Sequence, residues 1–421
     1  MDNKRNSALR RYRLDVSSQF YPIISTPRSQ SLYRVTAVMD APVRPELLQA
    51  AAEKVLERFP TFKVRLRKGY AWYYFEENPE KFRVTRADGA LLRPINPKET
   101  AGYLFRLGYE DCRIEFEVFH AICDGLAALE FIKALTFVYA RLSGADAVAD
   151  GRVVDLDAAP SDGETEDSFY RYYRPIKFGD INLKGLMGDR PQLLEGTLTD
   201  DGYKSSFESL SAADAAACAK DMGVTFTALM CGAMAYSIEK VTRGKKSIVM
   251  MVPVNLRKMF PSVTLRNFVN FVRLVFKPKE CATLRDYIAS ASRQLKEKAT
   301  KEEMEKFVST TVRTEKSLPL RITPLWLKIF VARIARAFLK SRQTMIFSNM
   351  GKVSLPKNCG IRRILLNLNV SKTSKVNVGA LAVGEEVTIT FTRSIRENTV
   401  EKAFFDTLAT LGVRPLAKGN I

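Results

Sequence analysis

The chain reads as an α/β protein of two lobes, each a mixed sheet flanked by helices. Three observations lead there. Its 421 residues exceed what one hydrophobic core usually holds. Period-two and helical apolar patterns are mixed through both halves. An acidic, turn-rich stretch separates them: residues 143–167 carry eight acidic residues and one arginine, with Pro160, Ser161 and Gly163 among them. That composition suits an exposed, poorly ordered linker. The lobes are expected at 1–180 and 181–421, with the linker near the end of the first.

The first half opens with a strand over 33–39 and a helix over 45–59. The segment 113–120 then alternates strictly, with Ile114, Phe116, Val118 and His120 on one face and Glu115 and Glu117 on the other. This is a half-buried strand ending in an inward-facing histidine. After it, Leu126, Leu129, Ile132, Leu135 and Tyr139 recur at helical spacing, so 126–142 is a helix. In the second half, helices over 211–221 and 225–242 are split by Gly223, and 247–253 is a buried strand around Met250, Met251 and Val252. Strands follow at 268–276, 345–349, 364–370 and 387–391, with helices at 282–298 and 399–411.

His120 is the only histidine in the chain. It is therefore the one side chain whose ordinary pKa suits proton transfer near neutral pH. It opens the string His120-Ala121-Ile122-Cys123-Asp124-Gly125, at a strand end that can hold a catalytic group rigidly. On these residues alone, a hydrogen-bonded core histidine and a plain helix N-cap at Asp124 compete with catalysis.

The string resembles the HxxxDG signature of the chloramphenicol acetyltransferase-like acyltransferases, which include alcohol acetyltransferases and peptide synthetase condensation domains. Pro253-Val254-Asn255-Leu256-Arg257 is similar to that superfamily's segment ending in arginine. Asn267-Phe268-Val269-Asn270 resembles its F-V-N strand, and Ser348-Asn349-Met350-Gly351 the S-N-x-G strand of the alcohol acetyltransferase-like branch. These anchors span residues from about 33 to about 411.

The resemblance implies a two-lobed fold with an active-site tunnel between the lobes. It implies direct acyl transfer in a ternary complex, from acyl-CoA to an alcohol hydroxyl, with His120 as general base. Asn270 is the expected oxyanion donor, with Ser348 and Asn349 as second candidates. Asp124 is expected to pair with an arginine, Arg257, and to keep the histidine's loop in shape, while Gly125 admits close backbone approach. Cys123 is read as core packing. No bound cofactor or metal is expected, and acyl-CoA, or acyl phosphopantetheine on a carrier protein, acts as co-substrate. The alternatives are a condensation-type enzyme with a carrier-bound donor or an amine acceptor, and a non-catalytic interaction protein.

Composition sets the remaining bounds. Hydrophobic residues make up 46% of the chain, which excludes a disordered polymer. The six cysteines have no C-x-x-C spacing, and with one histidine they offer no zinc pattern. The first 16 residues are polar and basic, unlike a signal peptide, and no long apolar run predicts a membrane span. The expected location is cytoplasmic, with peripheral membrane contact as a further option. The net charge of +20 is concentrated in part at 312–342, with eight basic residues and one acidic residue. There, 324–340 reads as an amphipathic helix, with Lys328, Arg333, Arg336 and Lys340 on one side and Leu327, Phe330, Val331, Ile334 and Phe338 on the other. A solvated basic face, a membrane-surface helix and a rim attracting CoA phosphates are the three readings. No nucleic-acid module accompanies the charge.

Overall fold

The computed structural model describes residues 9–27, 29–175, 190–200, 202–338, 343–371 and 373–420. The expected lobe boundary at 180/181 lies outside these residues. The described residues form two cores, the first against a five-stranded and a three-stranded sheet and the second against a seven-stranded sheet.

The first half supplies β1 (Arg11–Arg13), α1 (Phe20–Ile24), β2 (Leu32–Met39), α2 (Pro45–Arg58), β3 (Val64–Lys68), β4 (Tyr73–Glu77), β5 (Thr85–Arg86), β6 (Phe105–Glu110), β7 (Arg113–Phe119) and α3 (Gly125–Leu142). Strands β2 and β7 run antiparallel, with Leu32 opposite Phe119 and Val38 opposite Arg113. The inward side chains of β6 and β7 meet α2 and α3 in an aromatic cluster of Phe59, Phe62, Phe105, Phe116 and Phe131. Each such ring contributes about 1.5–3 kcal/mol by leaving water.

The opposite face of β7 differs from the expected solvent face. Glu115 and Glu117 are buried, each 2.7 Å from an Arg34 guanidinium nitrogen on β2. Glu117 is also met by Arg106 of β6 and by the backbone amide of Leu92 at 2.5 Å. Sequence alternation records polarity, and ion pairing under a covering loop lets polar side chains sit inside.

The acidic stretch is likewise tied down. It holds α4 (Asp162–Thr165) and α5 (Ser168–Arg171). Glu164 accepts from Arg58 at 2.6 Å, and Asp167 accepts the Val16 amide at 2.9 Å. Opposite charges supplied from elsewhere in the chain order a segment that looks solvated by composition alone.

The second half supplies β8 (Lys204–Ser211), α6 (Ala212–Asp221), α7 (Phe226–Thr242), β9 (Ile248–Asn255), β10 (Val269–Phe276), α8 (Leu284–Lys298), α9 (Lys301–Lys316), α10 (Leu318–Ile322), α11 (Leu325–Phe338), β11 (Met345–Val353), β12 (Ile361–Leu368), β13 (Val376–Val383), β14 (Glu386–Arg393), α12 (Thr399–Thr410) and β15 (Pro415–Asn420). Seven strands form one sheet in the order β10-β9-β11-β13-β14-β8-β15, with β11 parallel to both neighbours. The remaining strand, β12, leaves this sheet and pairs with β2, giving the order β12-β2-β7-β6-β5. The lobes therefore exchange chain: the first sheet is completed by residues from the second half.

Where the two sheets meet, β12 crosses β13 at Gly379. A Cβ on Gly379 would lie 2.2 Å from the Leu366 carbonyl oxygen, so only glycine permits this backbone approach.

The helix expected at 324–340 corresponds to α11; of its expected basic side Arg333 is exposed, but Lys328 is turned inward. Lys328 is buried, with its Nζ donating to the Ala71 carbonyl at 2.5 Å and lying 3.4 Å from the centre of the Trp72 ring. Burial pulls its pKa down to about 8. Trp326, Phe330, Val331 and Ile334 are exposed. The side chains of Arg336, Phe338 and Lys340 lie outside the described residues.

Candidate active site

His120 follows the last residue of β7, and its backbone amide donates to the Ser31 carbonyl at 2.9 Å. Its ring is held on two sides by tyrosines. Tyr21 of α1 stacks at 4.6 Å between ring centres, and Tyr33 of β2 meets it edge-on at 5.0 Å. The Tyr33 hydroxyl also donates to the Cys123 carbonyl at 3.1 Å, tying the turn that follows. The ring is half-buried, with the rest of its surface facing a cavity of about 680 Å³.

Asn267 fixes the chemistry of the imidazole. Its side-chain nitrogen donates to the His120 carbonyl at 2.8 Å and to Ser18 Oγ at 2.9 Å. A carbonyl can only accept, so the amide cannot be turned around. Its oxygen therefore faces His120 Nδ1 at 2.9 Å, and Nδ1 carries the proton. Nε2 is left with the lone pair, which is the form a general base needs. Ser18 is itself anchored to the buried Asp15, whose oxygens accept from the Ser18 hydroxyl and, at 2.8 Å, from the Ser18 amide. Burial lowers the His120 pKa below the ordinary imidazole value, against the opposing pull of Asp124 and Asn267. The free base thus dominates at neutral pH.

Asp124 turns away from the histidine and does three things. Oδ1 caps α3 by accepting the Ala127 amide at 3.2 Å. Oδ2 accepts from Arg257 Nη1 at 2.7 Å and from the Phe268 amide at 2.9 Å. Arg257, on the short 3₁₀ turn Leu256–Lys258, spends its other donors on the carbonyls of Thr264 and Arg266. Residues 264–268 are the approach to β10 and carry Asn267. One ion pair therefore holds both the turn after His120 and the loop that supplies its hydrogen-bond partner.

The other expected residues separate into two groups. Gly125, Ser348 and Asn349 line the cavity with His120 and Asp124. A Cβ on Gly125 would meet the flexible end of Met350 at 3.0 Å, and Asn349 donates to Thr227 Oγ1 at 2.9 Å. Asn270 does not face the cavity. Val269 and Phe271 line it, and the alternation of β10 sends Asn270 to the opposite side, against Met304 of α9 at 3.2 Å. Its oxygen is occupied by the Phe271 amide at 2.7 Å. The expected oxyanion role for Asn270 is thus corrected by geometry. Cys123 is buried, and burial pushes its thiol pKa well up, far from thiolate reactivity.

Both lobes build the cavity. β2, His120 and the start of α3 give one wall with the 366–371 stretch around the end of β12, and β9, β10, β11 and α8 give the other. Apolar side chains such as Leu126, Val254, Phe271, Ile346 and Leu368 dominate it, and the exposed Lys258 and Lys296 stand at its edge. Comparison with solved structures decides the fold at this point. The chain has the chloramphenicol acetyltransferase-like condensation-domain fold. It matches the condensation domain of the monacolin K polyketide synthase MokA at a TM-score of 0.58 and 12% identity, covering 98% of this chain and 100% of that one. The epimerization domain from the third module of tyrocidine synthetase B matches at 0.61 and 12%, covering 98% of each chain. Polyketide synthase associated protein 5 from Mycobacterium tuberculosis matches at 0.60 and 13%, covering 90% and 94%. At such identities the likeness speaks to the condensation-domain fold alone. No family model and no curated protein matches the sequence.

Proposed function

We propose that this chain is a condensation-type acyltransferase that uses a thioester donor on a phosphopantetheine arm, with His120 as its general base. The observation that carries this reading is the fixed imidazole tautomer: Asn267 leaves Nε2 unprotonated at the wall of an apolar cavity shared by both lobes. In the step proposed, an acceptor hydroxyl or amine gives its proton to Nε2 while its heteroatom attacks the thioester carbonyl. The tetrahedral intermediate then collapses, the carbon–sulfur bond breaks, and His120 returns the proton to the departing thiolate. Base catalysis of this kind is worth about 10²–10⁴-fold. Ser348 and Asn349 are the donors within the cavity proposed to serve the oxyanion. The lobes are proposed to divide at 1–180 and 181–421, with β12 crossing back. Lys258 and Lys296 supply positive charge for a phosphate-bearing donor, and the apolar lining suits an acyl chain or an apolar acceptor.

CoA and an acyl carrier protein present the same arm, and the experiment separates them. Full-length protein is given acetyl-, octanoyl- and palmitoyl-CoA, or the same acyl groups on a phosphopantetheinylated carrier protein, with a panel of alcohols and amines. Products are identified by mass spectrometry beside His120→Ala. Ester or amide that vanishes in the variant supports the reading, and the productive donor names the partner. Product formed equally by His120→Ala, or none from either donor with folded protein, overturns it.

A further inference from the structure

We propose that α10 and α11 form a docking face for an anionic lipid surface. The inference does not rest on the reading of His120. Helices on protein surfaces ordinarily bury their apolar side and expose their polar side. Here the outer side is apolar as well. The inner side of α11 carries Leu325, Ile329, Ala332 and the desolvated Lys328, while Trp326 is 69% exposed and Phe330 57% exposed. Val331 and Ile334 continue the exposed strip along α11, and Leu318 and Ile322 extend it onto α10. Six large apolar side chains exposed on two consecutive helices mark an interaction surface.

Charge identifies the occupant. Arg321 and Arg333 are exposed beside the strip. The one acidic residue of 312–342, Glu315, is buried and paired with Arg13 and Tyr170. The face therefore offers aromatic and aliphatic side chains within a cationic rim, the pattern that binds the headgroup boundary of anionic bilayers. A second copy of the chain would set these arginines against their equivalents. No described helix is long and apolar enough to cross a membrane, so the contact is lateral.

The position of the face has a functional corollary. α11 packs on α1, whose Tyr21 stacks on His120, and the chain beyond α11 reaches the cavity lining at Gln343 and Ile346. A lipid surface held here lies beside the wall of the cavity and can deliver an apolar substrate to it.

The test uses full-length protein in flotation against vesicles of pure phosphatidylcholine and of two parts phosphatidylcholine to one part phosphatidylglycerol. Binding is expected to the mixed vesicles only, and to fall at about 1 M salt, where the screening length is about 3 Å. Trp326→Ser with Phe330→Ser is expected to weaken it at least about tenfold. Arg321→Glu with Arg333→Glu is expected to do the same. All four sites are exposed, so melting temperature is expected to stay near that of the parent. Trp326 and Trp72 are the only tryptophans; emission shifts to the blue on binding, and Trp326→Phe removes that shift while the protein still floats. Failure to float with mixed vesicles at low salt overturns the proposal. So does binding untouched by both double variants, or a dimer in sedimentation velocity that they dissociate.

Discussion

Asn267 and His120 stand 147 residues apart in sequence, yet they exchange two hydrogen bonds, one to the ring and one to the backbone of the same residue. The second bond gives the first its chemical meaning. Because the His120 carbonyl claims the amide nitrogen, the amide oxygen must face Nδ1, and the base is presented at Nε2. Ser18 and Asp15 extend the restraint into the N-terminal segment.

Replacing His120 by alanine is expected to remove about 10²–10⁴-fold of acyl-transfer rate. The ring is half-buried beside a cavity, so its loss removes the contacts with Tyr21, Tyr33 and Asn267 without opening the core. Thermal melting measured beside kcat should show the rate collapsing in a protein that stays folded, with a melting temperature only modestly lowered.

The pH–rate profile is expected to rise to a plateau with an apparent pKa below 6.5, because burial disfavours the charged imidazole. Asn267→Asp sets a carboxylate against Nδ1 and should move that limb to higher pH. Asn267→Ala frees the tautomer and should lower kcat by about tenfold or more, and because it removes the hydrogen bond that holds the His120 pKa up, it should move the limb to lower pH. A merely structural residue would not separate these two variants by pH.

Losing half of the Asp124–Arg257 pair strands a buried charge, which costs about 3–5 kcal/mol. Asp124→Ala and Arg257→Met are each expected to lower unfolding free energy by that amount in denaturant titrations. The double variant Asp124→Leu/Arg257→Met should be more stable than the sum of the single effects implies, yet still poorly active, since the loop carrying Asn267 loses its anchor.

Two glycines make opposite predictions. Gly379→Ala drives a Cβ into the Leu366 backbone oxygen and is expected to cost at least about 1–3 kcal/mol. Gly125→Ala meets only the tip of Met350, which can swing aside, so stability should change little while the cavity narrows. Melting temperatures of the two proteins compare them directly.

Much of the architecture was legible because burial imposes a period. The strands around His120 and Met250 and the helix after Asp124 were marked by spacing alone, within a few residues of their observed ends. β13 escaped because it is buried on both faces, and the small residues Gly379 and Ala380 cut short the alternation that Val376-Asn377-Val378 begins. The place of Lys328 on α11 is illegible for a related reason: a lysine on a helix is normally solvated, and only the carbonyl of Ala71 and the ring of Trp72 explain why this one is inside. At the site, the motif marked His120, Asp124 and Arg257, but the choice between two asparagines in Asn267-Phe268-Val269-Asn270 went to the wrong one. Three residues apart across a loop-to-strand junction, they face different surroundings, and no local pattern distinguishes them. Tyr21, Tyr33, Ser18 and Asp15 carry no sequence signal, since each acts through a contact made in space.

The placement of β12 has a consequence for biosynthesis. One edge of β2 pairs with β7, and the other finds its partner in residues 361–368. A chain emerging from the ribosome can collapse its aromatic cluster early, but it carries an open strand edge until most of its length has been made. During that interval the edge is a template for pairing with other chains. The final strand of the first sheet is thus a late-arriving cap, and expression yield should be governed by how quickly it docks.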